Sequence, residues 1–79
     1  MGTTTIMIEL YSKEMCPFCV RAEKLCEDNN LEHEVYMLNT DFVREDIHLL
    51  FPSAKTYPVV VIDGEYIGGC VELEKMYNE

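Results

Sequence analysis

Thr5-Ile6-Met7-Ile8-Glu9-Leu10-Tyr11-Ser12-Lys13-Glu14-Met15-Cys16-Pro17-Phe18-Cys19 (residues 5–19) reads as a strand, a loop and the start of a helix, with two cysteines at the last junction. Ile6, Ile8 and Leu10 alternate with other residues, and the stretch is rich in Ile and Thr, which predicts a strand over Thr5 to Tyr11. Ser12 to Met15 reads as a loop. Pro17 suits the first position of a helix, where its missing N–H would be unpaired in any case. That helix is predicted to run to about Asn29, with Phe18, Ala22, Leu25 and Cys26 at the i, i+4, i+7, i+8 spacing of a buried stripe. Asn29 and Asn30 suit its end.

Beyond it, Glu32 to Leu38 alternates and predicts a second strand, with His33, Val35 and Met37 opposed to Glu32, Glu34, Tyr36 and Leu38. Thr40 or Asn39 is a good N-cap for a second helix reaching about Leu50, with Val43, Ile47 and Leu50 on one face and Phe42 and Leu49 beside them. Pro52 stops it. Pro58 to Asp63 contains the unbroken run Val59-Val60-Val61-Ile62, the pattern of a strand buried on both faces. Asp63-Gly64 signals a hairpin into a short strand, Glu65 to Ile67. Gly68-Gly69 breaks the chain before a last helix, Val71 to about Tyr77, that places Leu73, Met76 and Tyr77 together. The order β-α-β-α-β-β-α, with a right-handed parallel crossover first and an antiparallel hairpin last, predicts an α/β fold. It should have a four-stranded mixed sheet with helices on both faces.

Seventy-nine residues allow a single domain, 1–79, with one small core. No stretch nears the roughly eighteen apolar residues of a membrane span, and the first residues lack the basic start of a secretion signal. A cytoplasmic location is expected. A net charge of −9 argues against nucleic acid as partner. The charge is uneven: Glu23 to Asp46 holds eight acids against Lys24 and Arg44, whereas Lys13 and Arg21 outnumber Glu14 around the first cysteines.

Four cysteines in so short a chain would suggest a disulfide scaffold only in a secreted protein. For Cys16-Pro17-Phe18-Cys19 a reactive pair is the better reading. Cys16 falls at the N-cap, where unpaired backbone N–H groups and the helix dipole favour an anion. That supplies the thiolate, the nucleophile of disulfide exchange, and Lys13 adds positive charge nearby. Cys19, nearly one turn on and expected to be the less exposed, would resolve the mixed disulfide that Cys16 forms. The rival readings are half a zinc site, completed by Cys26 or Cys70, and plain core cysteines. A zinc site usually has two such pairs, and Cys26 belongs to the buried stripe, so no metal is expected. His33, His48, Tyr11, Tyr66 and the methionines Met7, Met37 and Met76 read as packing or surface residues.

Lys13-x-x-Cys16-Pro17-Phe18-Cys19, Thr56-Tyr57-Pro58 and Asp63-Gly64-x-x-x-Gly68-Gly69-Cys70 together resemble the glutaredoxin family, a branch of the thioredoxin fold, over nearly the whole chain. The resemblance implies a cis-proline at Pro58 facing Cys16, and glutathione as co-substrate lying along Tyr57. Its glycyl carboxylate would meet Lys13 and Lys55, and its γ-glutamyl carboxylate the backbone of Gly69 and Cys70. Phe18, Thr56 and Glu72 complete the implied contacts. Two positions depart from the family pattern. Phe18 stands where many dithiol members have Tyr, and Val71 where an acidic residue often binds the γ-glutamyl ammonium; Glu72 is next in line for that contact.

The activity so implied is glutathione-dependent reduction of protein disulfides or glutathione mixed disulfides by a monomer, with ribonucleotide reductase as an example of a protein substrate. Two alternatives stand beside it. One is a redoxin reduced by thioredoxin reductase, motivated by Val71. The other is a carrier of an iron–sulfur cluster between two chains, which Pro17 disfavours because such carriers more often have Gly or Ser there.

Overall fold

The computed structural model describes residues 7–77. The strands are β1 (Ile8–Ser12), β2 (His33–Met37), β3 (Val59–Ile62) and β4 (Glu65–Gly68); the helices are α1 (Pro17–Asp28), α2 (Arg44–Leu50) and α3 (Cys70–Tyr77). They form one mixed sheet in the order β2-β1-β3-β4, with β1 parallel to β2 and the other two pairings antiparallel. This is the α/β arrangement predicted, including the parallel crossover through α1. Thr5 and Ile6, the proposed start of the first strand, lie outside the described residues.

The register sets the two faces. Leu10 is opposite Val35 on one side and Val60 on the other, so one layer of apolar side chains crosses the sheet under α1 and α3. Ile8, Leu10, Ala22, Leu25, Cys26, Val60, Cys70 and Leu73 make that core. Each fully buried aliphatic side chain of this kind contributes about 1.5–3 kcal/mol. Val59 and Val61 point the other way, into a second cluster with Phe42, Ile47 and Ala54 beneath α2. A strand filling two cores at once has no polar face, which explains the uninterrupted Val-Val-Val. On this second face Tyr11 stacks on Tyr36 with ring centroids 5.2 Å apart and meets Phe42 edge-on, the strand packing expected of it. Asp63 and Gly64 both have positive φ, 52° and 85°, as the two-residue turn between β3 and β4 requires.

Three expectations need correction. The α2 helix starts at Arg44 with Val43 as its N-cap, not at Asn39 or Thr40. Asn39 takes a left-handed conformation (φ 68°), the Asp41 carboxylate accepts the Met37 N–H at 2.9 Å, and Leu38 bridges to Phe42. These local bonds carry the chain on from β2, so the cap falls at Val43, whose N–H donates to the Asp46 carboxylate. With Val43 outside the helix the expected stripe dissolves. Ile47 alone is buried from α2, while Val43, Leu49 and Leu50 are exposed. Met76 is also exposed, because Leu73 and Tyr77 already fill the contact of α3 with α1 and the sheet.

Candidate active site

Both cysteines are placed by the start of α1. Cys16 is the N-cap in extended conformation and Pro17 is the first helical residue, as predicted. The Cys16 carbonyl accepts the N–H groups of Cys19 and Val20 at 3.1 and 3.2 Å, and the Cys16 Sγ itself accepts the Cys19 N–H at 3.3 Å. A sulfur holding an N-cap donor at the positive end of a helix is stabilised as an anion. The two Cα atoms are 5.2 Å apart and the sulfurs are within bonding reach as a disulfide. Cys19 is the less exposed, as expected, but only slightly: it is 5% exposed and Cys16 8%, so both are buried. Their roles are separated instead by the cap, since the stabilising donor points at Cys16 alone. Phe18 is also displaced from its expected place. The stripe of α1 begins at Cys19, and Phe18 is 48% exposed, with the Arg21 guanidinium 5.2 Å from its ring centroid.

Opposite the pair runs the loop before β3. The Tyr57–Pro58 peptide bond is cis, as the family resemblance implied, and the Tyr57 carbonyl lies 3.9 Å from Cys16 Sγ. The chain returns to this loop at the end of β4. Gly68 has φ 132°, and a Cβ on Gly69 would sit 3.3 Å from the Pro58 carbonyl, so the two glycines let the start of α3 approach the cis-proline closely. The result is a groove of about 470 Å³ walled by Phe18, Thr56, Tyr57, Pro58, Gly69, Cys70, Val71 and Glu72. Three separate stretches of the chain thus converge beside Cys16, and all eight residues were named in the sequence.

Lys13 and Lys55 line an adjoining cavity of about 330 Å³ that shares Thr56 and Tyr57 with the groove. The Lys13 ammonium is 5.7 Å from the Tyr57 ring centroid. Arg44 and His48 line the same cavity, and sequence reasoning missed both. Their spacing of four residues puts them on one face of α2 but does not tie them to Lys13 or Lys55. Met15, Phe18, Val20 and Val71 are exposed apolar side chains around the cysteines, a rim suited to another protein's surface.

At the far end of the groove the Gly69 N–H has a partner within the chain. Glu72 is the third residue of α3 and reaches back, its Oε1 accepting the Gly69 N–H at 2.8 Å. This bond and its own backbone N–H hold the Glu72 carboxyl below the usual range. The Gly69 donor assigned to a ligand carboxylate is therefore engaged within the chain. Cys70 is buried, with its sulfur 3.6 Å from a Glu74 oxygen that also pairs with Arg21. Burial, and next the Glu74 charge, push the Cys70 thiol up, and burial pushes Cys26 up to about 11. Both remain protonated at neutral pH, unlike a redox nucleophile. No group of three or more His, Cys, Asp or Glu with metal-holding geometry occurs among the described residues.

A cysteine pair whose first sulfur caps a helix, closed off by a cis-proline loop at the edge of a mixed four-stranded sheet, is the working end of a thioredoxin-fold thiol–disulfide oxidoreductase. The glutaredoxin family model matches residues 8–67. Glutaredoxin 3 of Escherichia coli is 29% identical over 66 residues, covering 84% of this chain and 80% of its own length. The hybrid peroxiredoxin hyPrx5 of Haemophilus influenzae is 34% identical over 70 residues, 89% of this chain, but the chain spans only 29% of that protein. Among solved structures, glutaredoxin 1 of Francisella tularensis superposes with a TM-score of 0.74 at 26% identity, over 95% of this chain and 100% of the other. The chain belongs to the glutaredoxin family and carries its disulfide-exchange activity.

Proposed function

We propose that the chain reduces protein disulfides and glutathione mixed disulfides with glutathione as the electron donor. The observation that carries this reading is the groove beside Cys16, closed by cis-Pro58 and flanked by Lys13 and Lys55, which suits a small anionic thiol. In the forward half-reaction the Cys16 thiolate attacks one sulfur of the substrate disulfide, and the departing sulfur takes a proton as a thiol. The Cys19 thiol, deprotonated, then attacks Cys16 Sγ, frees the second substrate thiol and leaves the Cys16–Cys19 disulfide. Two glutathione thiols, attacking in turn, return both cysteines to thiols and leave as glutathione disulfide. The apolar rim of Met15, Val20 and Val71 would seat a protein substrate, ribonucleotide reductase being one example.

The test is turnover of a small glutathione mixed disulfide with glutathione, NADPH and glutathione reductase. Cys19→Ser should retain part of this activity, because removal of glutathione needs only Cys16. Cys16→Ser should have none. Wild-type protein without turnover would refute the reading. The Glu72–Gly69 bond favours a second reading, a redoxin reduced by thioredoxin reductase, since it removes one donor from glutathione. Reduction by that enzyme in the absence of glutathione would support it.

A further inference from the structure

The cysteine pair has a second side. Cys16, Cys19, Val20 and Glu23 follow one another at i, i+3, i+4 and i+7, so they share the face of α1 that begins at its N-cap. With Val35 and Met37 of the edge strand β2 they line a cavity of about 590 Å³, larger than the groove or the basic cavity. The loop residues Glu14 and Met15 border it as well, and Met15 and Val20 are exposed apolar side chains there. Its charge is the reverse of the basic cavity's. The sequence sets Lys13 and Arg21 against Glu14 around the cysteines, but the fold draws both cations away. The Lys13 ammonium lies 5.7 Å from the Tyr57 ring centroid, and Arg21 pairs with Glu74. Glu14 and Glu23 stay on the wall of this cavity, and neither has an ion-pair partner among the described residues.

We propose that this cavity seats the protein segment bonded to Cys16 and selects substrate cysteines flanked by aliphatic and basic residues. The inference rests on protein disulfides being substrates, as proposed above, and names their class. Charge complementarity sets the occupant. Glu14 and Glu23 attract Lys or Arg and repel acids, while Met15, Val20, Val35 and Met37 take an aliphatic side chain. Because both cysteines line the cavity, a segment held there keeps its disulfide to Cys16 within reach of Cys19. The groove on the Tyr57 side stays open for the thiol that later reduces the pair.

The experiment uses the full chain with Cys16 and Cys19 reduced. Its substrates are disulfide-linked dimers of acetyl-Lys-Leu-Cys-Leu-Lys-amide and of versions with Glu for both lysines or Ser for both leucines. In each reaction the Cys16 thiolate attacks one peptide sulfur and releases the other as a thiol. Cys19 then frees the second peptide thiol as the Cys16–Cys19 disulfide forms. Acid-quenched, alkylated samples are counted by mass, and each rate is divided by that of 2-mercaptoethanol with the same peptide to remove intrinsic reactivity. The Lys-Leu peptide should oxidise the wild-type chain about three- to tenfold faster than either other peptide, and its lead over the Glu peptide should narrow near 1 M salt. Glu14→Gln with Glu23→Gln should remove most of the preference for lysine. Glu32→Gln with Glu65→Gln, the same change of charge at exposed sites outside the cavity, should leave it in place. Val20→Ser should weaken the preference for leucine. A merely structural loss slows all three peptides alike and leaves the ratios unchanged. Normalised rates equal for all three peptides, or a lysine preference moved as much by the remote pair as by the cavity pair, would overturn the inference alone. Oxidation of the chain by glutathione disulfide but by none of the peptides would overturn the protein-disulfide reading, and this inference with it.

Discussion

Replacing Lys13 by Met removes a charge but keeps an unbranched side chain of similar length, so it isolates the electrostatic part of ligand binding. The ammonium sits 5.7 Å from the Tyr57 ring centroid, at the boundary between the groove and the basic cavity. The contact with the ring, about 0.5–1 kcal/mol for an exposed pair, is present with or without ligand and cancels from the comparison. What remains is the attraction of the ammonium for a ligand carboxylate. At about 4 Å this is ~1 kcal/mol in bulk water and ~4 kcal/mol at a near-surface effective dielectric constant. Lys13 is exposed, so the lower figure applies and corresponds to about a fivefold change in affinity. The expected result is a rise of about fivefold in the KM for glutathione in the coupled assay. The difference from wild type should shrink towards nothing near 1 M salt, where the screening length falls to about 3 Å. Lys13→Arg should restore most of the loss. The glycyl ester of glutathione, with no carboxylate at that end, should give nearly the same KM with Lys13 or Met. Equal losses for glutathione and the ester, or a rise in KM indifferent to salt, would refute the assignment of Lys13 to the carboxylate.

In the fully reduced protein, iodoacetamide at neutral pH should modify Cys16 before Cys26 or Cys70, because burial, then Glu23 and Glu27, hold Cys26 near 11, and burial and Glu74 raise Cys70. Peptide mapping that finds Cys26 labelled as fast as Cys16 would contradict this. The Glu72 carboxyl titrates below its ordinary 4.5, so the stability its cap contributes is complete above that pH and is lost as pH falls through the lower folded-state value. Thermal melts of wild type and Glu72→Gln should therefore converge as pH falls well below 4.5, and a gap that stays constant on acidification would show that the carboxylate is not the cap.

The parts of the fold that were legible in the sequence are those where short-range chemistry and tertiary packing agree. Ile8 and Leu10 alternate because one face of β1 is buried, Pro17 stands where a helix needs no N–H, and Asp63-Gly64 takes the positive φ angles its turn demands. The start of α2 misled because Asn39 and Thr40 have cap chemistry, and that chemistry is spent on the turn after β2. Phe18 misled for a different reason. Helical periodicity tells which residues share a face, not whether a core or an open groove lies opposite. Arg44 and His48 were invisible as site residues because nothing local joins them to Lys13 and Lys55; only the packing of α2 on the loop before β3 does. Glu72 was noticed, but as a contact for a ligand ammonium. Its bond to Gly69 follows from a helix beginning at Cys70, one residue earlier than the pattern suggested.

The distribution of cations also shows how a chain of charge −9 can present a local basic surface. Of its six lysines and arginines, Lys13, Arg44 and Lys55 line one cavity. Arg21 is paired with Glu74, Lys24 with Asp28, and Lys75 lies in the last turn of α3. At physiological salt the acids elsewhere are screened beyond about 8 Å, so an approaching carboxylate responds mainly to the nearest charges. Those are positive at the Lys13–Lys55 end of the groove and negative at Glu72. On the proposed glutathione reading, the ligand would lie along Tyr57 with an anionic end toward the lysines. Against the acidic surplus elsewhere, the cavity lined by Lys13, Arg44 and Lys55 is the basic spot that an anion would meet.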